Sequence, residues 1–344
     1  MTMQAAQAHS STPAGAQSAA LAVHGLNISV ANGAQRYPVV RDMAFELAPG
    51  ETLCIVGESG CGKSLTALAL LQLLPAEVNT DSGSIQLGDV DLCTADQRTL
   101  EDARGKKIAM IFQEPLSSLN PVMTIGDQIA EVLQRHESLR ARDAQQRAID
   151  MLARVRMPAP AQRARQFAHQ LSGGMRQRAM IALALACDPR VLVADEPTTA
   201  LDVTIQAEIL ALIGRLQHSL GTAVVLITHD FGVVAEMADQ VIVMYAGRRV
   251  ECADVETLFD RPLHPYTIAL MHAAPGLQAT DIAAKARLQE IEGMVPPPWA
   301  LPTGCAFAPR CALAFARCRE EVPVLTAAES GHRVACWAVE ATHD

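Results

Sequence analysis

Eight consecutive residues, Gly57-Glu58-Ser59-Gly60-Cys61-Gly62-Lys63-Ser64, follow the spacing G-x-x-x-x-G-K-[ST]. Glycines let backbone N–H groups approach phosphate oxygens, and a helix starting at the end of the loop adds the positive end of its dipole. Lys63 is then placed to reach the β- and γ-phosphates of a nucleoside triphosphate, and the Ser64 hydroxyl to ligate Mg²⁺. A second stretch, Val191-Leu192-Val193-Ala194-Asp195-Glu196-Pro197, delivers two adjacent acids to the tip of an aliphatic strand. Phosphoryl hydrolysis needs one carboxylate near the metal and another to orient the attacking water, roles suited to Asp195 and Glu196. A third, Leu171-Ser172-Gly173-Gly174-Met175-Arg176-Gln177-Arg178, again joins a hydroxyl, two glycines and a helix start into an anion-binding device. One nucleotide does not need two such loops from one chain, so the Ser172 loop is expected to serve a nucleotide held by another subunit.

Residues of this kind have to be carried at strand ends. Short apolar runs at Thr52–Val56, Lys107–Phe112, Val191–Ala194, Ala223–Thr228 and Gln240–Met244 alternate with helical patterns, which predicts an α/β domain with a mostly parallel sheet. Each run ends at a polar residue or a glycine, where open α/β sheets bind ligands. Leu65 to Leu74 read as the helix after the first loop. Between the second and third strands Ile149, Leu152 and Val155 recur at helical spacing before a break at Pro158 and Pro160, which predicts an inserted helical subdomain over about 114–175. After Phe259, Pro262, His264, Pro265, Pro275 and Pro296-Pro297-Pro298 mark an extension. The expected division is a flexible tail over 1–20, one ATPase-type domain over 21–260, and a small Cys-containing extension over 261–344.

Composition sets limits on the function class. The 344 residues are 50% hydrophobic with only 3% aromatic, so aliphatic side chains and Met must fill the core. A formal charge of -9 argues against a nucleic-acid partner. No run approaches the roughly 18 apolar residues of a membrane span; the longest, Ala179–Cys187, lies between Arg178 and Asp188. The N-terminal stretch has no Lys or Arg before Arg36 and no apolar signal core, so neither a span nor secretion is expected. Of nine Cys, an odd number, Cys54, Cys61, Cys93, Cys187 and Cys252 are scattered singly, the usage of reduced cytosolic thiols. Cys305, Cys311, Cys318 and Cys336 crowd into the tail at the spacing C-x5-C-x6-C-x17-C, which suits a tetrathiolate site for [4Fe–4S] or Zn²⁺ or, failing a metal, four thiols packed as small apolar groups. The missing C-x2-C pairs weigh against zinc.

With these motifs in order, the chain resembles the nucleotide-binding subunits of ABC transporters over about residues 20 to 260. The resemblance implies a P-loop NTPase fold binding ATP and Mg²⁺ at Gly57–Ser64 and Leu65. It makes Gln113 the Q-loop glutamine, Leu171–Gln177 the signature, Asp195 the Mg²⁺ aspartate, Glu196 the catalytic glutamate, Ala200-Leu201-Asp202 the D-loop and His229 the γ-phosphate sensor. It further implies Ser64, Gln113 and Asp195 around Mg²⁺, and two domains docked head to tail, so that Ser172, Gly173, Gly174, Gln177 and Asp202 act on the partner's nucleotide. Cys61 stands where relatives often have Ser. Tyr37 is the nearby aromatic for the adenine ring, or else packs in the N-terminal sheet.

Finer features are similar to the di- and oligopeptide importers of bacteria, whose relatives carry nickel, glutathione and other small solutes. These are Phe112-Gln113-Glu114-Pro115-Leu116-Ser117-Ser118-Leu119-Asn120-Pro121, Met244-Tyr245-Ala246-Gly247 and Pro262-Leu263-His264-Pro265-Tyr266-Thr267. That resemblance implies an ATPase at the cytoplasmic face of the bacterial inner membrane, working with a second, related ATP-binding chain, two permeases and a solute-binding protein. It also favours [4Fe–4S] over Zn²⁺ at the four tail cysteines. A soluble ABC ATPase acting on DNA or the ribosome is the competing reading. About a hundred residues without sustained heptads separate Ser64 from Leu171, which argues against the long coiled coil of such proteins.

Overall fold

The computed structural model describes residues 19–114, 118–199, 202–274, 291–329 and 331–340. The expected tail up to Ser18, together with Pro115–Ser117, Ala200, Leu201 and Pro275, lies outside the described residues.

The five apolar runs form the parallel strands of one sheet: β3 (Thr52–Val56), β6 (Ile108–Ile111), β7 (Val191–Asp195), β8 (Ala223–Thr228) and β9 (Gln240–Tyr245). All but Gln240 of their residues are buried, as expected for strands covered on both faces. Strand β3 lies between β8 and β9 in the order β9-β3-β8-β7-β6, which places the loop after it at the middle of the sheet's C-terminal edge. On the far side, β10 (Arg248–Asp254) turns antiparallel to β9. It then pairs with β12 (His332–Val334), itself paired with β11 (Thr326–Glu329), so strands of the extension continue the main sheet.

The N-terminal sheet, whose strands the sequence reading did not delimit, is a separate antiparallel one of β1 (Leu21–Asn32), β2 (Gln35–Leu47), β4 (Val78–Leu87) and β5 (Val90–Asp91). Register shifts between Val23 and Leu26, and again to Ile28 and Ser29, interrupt the alternation by which a strand is read from sequence. Leu21, Val23, Leu26, Ile28, Val40 and Met43 still reach a common core with β3 and the helix Lys63–Leu70.

Between β6 and β7 lie the helices Ile125–Glu137, Ala141–Arg154 and Gly173–Ala184, with shorter turns between them, the third running past the expected bound near 175. Thr124 caps the first, accepting from the Asp127 amide at 3.2 Å, and Ile125, Ile129 and Leu133 form its buried stripe. In the second, Ala144, Ala148, Met151 and Leu152 are buried, and the helix ends at Val155 before Pro158. Arg178 on the third donates to the Val155 carbonyl at 2.9 Å and ties the pair together. Among the described residues no helix is long and apolar enough to cross a membrane.

Candidate active site

The phosphate loop leaves β3 at Gly57, whose φ of 153° and tight surroundings exclude a side chain: a Cβ there would stand 2.3 Å from the Met244 carbonyl oxygen. Gly62, at φ 104°, is the N-cap of the helix Lys63–Leu70 and lies against the Val39 carbonyl. Lys63 is buried, and its ammonium donates across the loop to the carbonyls of Gly57 at 2.7 Å and Glu58 at 3.0 Å. Cys61 packs beneath with its thiol pKa pushed up by burial, and Leu65 is partly buried on the helix. Ser59, Gly60 and Ser64 are exposed on the open side.

Strand β7 brings the two acids beside this loop. Ser64 Oγ donates to Asp195 Oδ1 at 3.2 Å, joining the first two sequence motifs. Burial raises the Asp195 pKa, the bond from Ser64 opposes that rise, and the neighbouring Glu196 adds to it. A cation between Ser64 and Asp195 would reverse the desolvation penalty, which suits the pair to a divalent metal. Glu196 adopts φ 45°, the left-handed region that non-glycine residues enter at a cost of about 1–3 kcal/mol and that collects at functional sites. Its carboxylate is held from several sides: Gln113 Nε2 donates to Oε2 at 2.9 Å, Thr199 Oγ1 donates to the same oxygen at 2.9 Å, and His229 Nδ1 lies 3.4 Å from Oε1. Gln113, Glu196 and His229, which follow three different strands, are therefore assembled into one constellation. Thr199 was not singled out by sequence, although it sits only four positions beyond Asp195.

The Ser172 loop is placed differently. Ser172 is the exposed N-cap of the helix Gly173–Ala184 and makes no side-chain capping bond, while Gly173 and Gly174 are half-buried beside it. Gln177, expected to face a partner's nucleotide, turns inward instead. It is buried and donates to the Pro197 carbonyl of its own chain, because the helix lays that face on the loop following Glu196. Asp202 is exposed and caps the helix Val203–Leu220, accepting from the Ile205 amide at 3.0 Å.

Two aromatic pairs complete the surroundings. Tyr37 projects from β2, bonds through its hydroxyl to Gln35, and meets Trp299 of the extension edge-on, with ring centroids 6.2 Å apart. Trp299 was not anticipated and is 57% exposed. Tyr245 and Tyr266 pack edge to face at 4.7 Å behind the phosphate loop.

Cys305, Cys311, Cys318 and Cys336 line one small apolar cavity with His264, Phe307 and Trp337. Yet among the described residues no group of three or more His, Cys, Asp or Glu side chains is arranged to hold a metal ion. The four cysteines expected as a tetrathiolate set thus share one cavity without being arranged as a metal site, and burial raises the pKa of Cys305, Cys311 and Cys336.

Residues 40–199 match the ABC transporter family, and residues 250–318 match the oligopeptide/dipeptide transporter C-terminal region. The chain is 52% identical over 294 residues to a probable peptide ABC transporter ATP-binding protein of Sinorhizobium fredii, covering 85% of this chain and 87% of that protein. It is 47% identical over 324 residues to a putative peptide import ATP-binding protein of Brucella melitensis, covering 92% and 96%. Among solved structures, a dimeric ATP-binding cassette in a post-hydrolysis state with ADP and Pi superposes with a TM-score of 0.62 at 25% identity, over 68% of this chain and 98% of that one. A cassette of the cbiONQ ABC transporter complex from Clostridium perfringens gives 0.60 at 25% identity, over 71% and 92%.

Proposed function

Because the chain belongs to the ATP-binding proteins of ABC transporters and carries an oligopeptide/dipeptide-type C-terminal region, we propose that it hydrolyses ATP to drive import of di- or oligopeptides across the bacterial inner membrane. The observation that carries the ATPase reading is the Ser64–Asp195 contact, with Glu196 next to it held by Gln113, Thr199 and His229. In this reading the loop amides and Lys63 bind the β- and γ-phosphates. Ser64, Asp195 and Gln113 would hold Mg²⁺, which supplies charge neutralisation to the transferring phosphoryl group. Glu196 accepts the proton of the attacking water. His229 lies on the other oxygen of that carboxylate, close enough to report the γ-phosphate. Gln113 touches Glu196 and leads into the segment that faces the membrane subunits.

The exposed, uncapped Ser172 hydroxyl supports a head-to-tail pair in which Ser172, Gly173 and Gly174 complete a neighbour's site. Gln177 is left out of that set, since its amide serves its own Pro197 carbonyl. The partner is a second ATP-binding chain, two permeases complete the transporter, and a solute-binding protein delivers the cargo. The protein would then sit peripherally at the cytoplasmic face. We assign 21–260 to the cassette, with its helical subdomain over about 114–175, and 261–344 to the extension. Tyr37, with Trp299 beside it, is the aromatic platform offered to adenine.

The four tail cysteines retain the chemistry of a cluster ligand set. Burial raises the pKa of Cys305, Cys311 and Cys336, and backbone N–H groups of Phe307 and Ala308 at Cys305, of Leu313 at Cys311, and of Ala338 and Val339 at Cys336 oppose that rise in part. Bound there, a [4Fe–4S] group would serve as a structural crosslink of the tail, with Zn²⁺ the second choice. Colourless protein free of iron and zinc after anaerobic purification excludes both.

Glu196→Gln is expected to bind ATP, to lose hydrolysis by at least about a hundredfold, and to accumulate as a nucleotide-bound dimer on size-exclusion chromatography. Normal turnover in that variant would show that the base is assigned wrongly. Uptake of labelled dipeptides, longer peptides and nickel with the permeases present decides the cargo, and uptake of nickel alone would replace the peptide assignment.

A further inference from the structure

The phosphate loop carries its own electrostatic problem. Glu58, its second residue, brings a carboxylate into a loop whose task is to receive a polyanion, and like charges brought close together repel. The structure neutralises it from an unexpected direction. Arg310 of the extension forms a two-pronged ion pair with Glu58, Nη1 to Oε2 at 2.6 Å and Nη2 to Oε1 at 2.9 Å. The arginine side chain is 6% exposed and the Glu58 side chain 26%, so the pair is partly shielded from solvent.

Arg310 is itself fixed. Its Nε donates to the Glu292 carbonyl at 2.8 Å and Nη2 to the Ile291 carbonyl at 2.9 Å. Its guanidinium lies over the Tyr245 and Phe307 rings at 5.8 and 6.0 Å, and Nη1 reaches the Tyr245 hydroxyl at 3.3 Å. The Glu58 backbone is pinned as well, its amide donating to Tyr266 Oη at 2.8 Å and its carbonyl accepting from Lys63 at 3.0 Å. Of the three polar groups of Glu58, two are thus held by residues that follow position 260 in the chain.

We propose that Arg310 is a positioning residue of the nucleotide site, neutralising and holding Glu58 so that the loop Gly57–Ser64 presents amides, and not a carboxylate, to the triphosphate. The extension is on this account part of the ATP site of its own chain. Arg310 directly precedes Cys311, so the wall of the cysteine cavity and the clamp on the phosphate loop are one segment. Nothing at the level of local pattern marks Arg310, which lies 252 positions from Glu58.

The inference rests on the reading of Gly57–Ser64 as the ATP loop, and the test separates the two. Lys63→Ala must abolish ATP binding; if it binds as the parent does, the loop reading itself fails. In Arg310→Met the uncovered Glu58 carboxylate should raise KM for ATP and the Kd for MgATP about tenfold, with kcat within about twofold. Adding Glu58→Gln to Arg310→Met removes the exposed charge and should return both constants to within about threefold of the parent. A merely structural Arg310 predicts no such rescue. Should Arg310→Met not fold, the double variant decides alone, since it leaves no buried unpaired charge: affinity near that of the parent supports the proposal. An unchanged KM in Arg310→Met, or a double variant about tenfold weaker than the parent, overturns it.

Discussion

Glu196 and Gly57 show two ways in which single residues are held for this chemistry. Glu196 accepts an unfavourable backbone conformation at φ 45° so that its carboxylate turns toward Gln113, Thr199 and His229, and its amide stays satisfied by the Ile227 carbonyl at 3.0 Å. Gly57 is the reverse case, a position where only the absence of a side chain permits the strand to turn into the loop. Gly57→Ala would drive a Cβ to 2.3 Å from the Met244 carbonyl and 2.9 Å from Cys61 Sγ, so the loop must move. The expected result is a loss of ATP affinity of at least about tenfold with a stability loss of about 1–3 kcal/mol, read by nucleotide titration and by thermal unfolding. Both residues were legible in sequence because a phosphate loop and a strand-end acid pair are built from contiguous chain. The bond of Thr199 to Glu196 was not, since it depends on how the turn after Pro197 folds back.

The helix Gly173–Ala184 connects the signature loop to the catalytic strand. Its N-terminus presents Ser172 outward, and one turn later Gln177 reaches the Pro197 carbonyl, next to Glu196. The same element therefore borders an outer surface and the loop that follows Glu196. Gln177→Leu removes the donor to the buried Pro197 carbonyl, an expected cost of about 1–3 kcal/mol. Because the loop it braces follows Glu196, kcat should fall more than ATP affinity, which steady-state kinetics beside a binding titration would resolve. The Ser172-Gly173-Gly174 motif located the start of this helix in the sequence. It did not say which face Gln177 occupies, because the helix is apolar or small on most sides, with Ala179, Met180, Ile181, Ala182 and Ala184 all buried.

At the scale of the whole molecule the extension is tied into the cassette core through buried polar groups. Glu251 on β10 is fully buried and accepts from the amides of Leu263 at 2.7 Å and His264 at 2.9 Å, and His332 Nε2 lies 2.8 Å from it. His264 caps the helix Pro265–Ala273 by accepting from the Tyr266 amide at 3.0 Å, which requires a neutral ring, and burial lowers its pKa to about 3. A histidine whose folded pKa lies below its unfolded value contributes stability that is complete above the unfolded value, about 6.5, and is lost as pH falls toward the folded one. Between about pH 7.5 and 5.5 the loss traceable to His264 is about 1 kcal/mol. His264→Asn, which keeps a capping acceptor, should show a correspondingly shallower fall in Tm over that range; equal falls would remove His264 as the cause.

The sequence by itself determined the candidate phosphate loop, the candidate acid pair and the parallel core: Gly57–Ser64, Asp195 with Glu196, and the five apolar strands are each encoded by a few consecutive residues, whereas Gln113 and His229 were candidates through the family resemblance. Local encoding works there because backbone amides, strand tips and helix starts are local structures. Only the tertiary structure decided that Gln177 faces its own chain, that Trp299 stands against Tyr37, that four distant thiols share one cavity, and that Arg310 closes on Glu58. Those pairings are set by which surfaces pack together once β10 accepts β12 at the sheet edge, and packing across such separations leaves no period or spacing in the chain. The loop that holds the phosphates was thus readable from eight residues, whereas the charge balance that lets it do so is completed by an arginine from the other end of the fold.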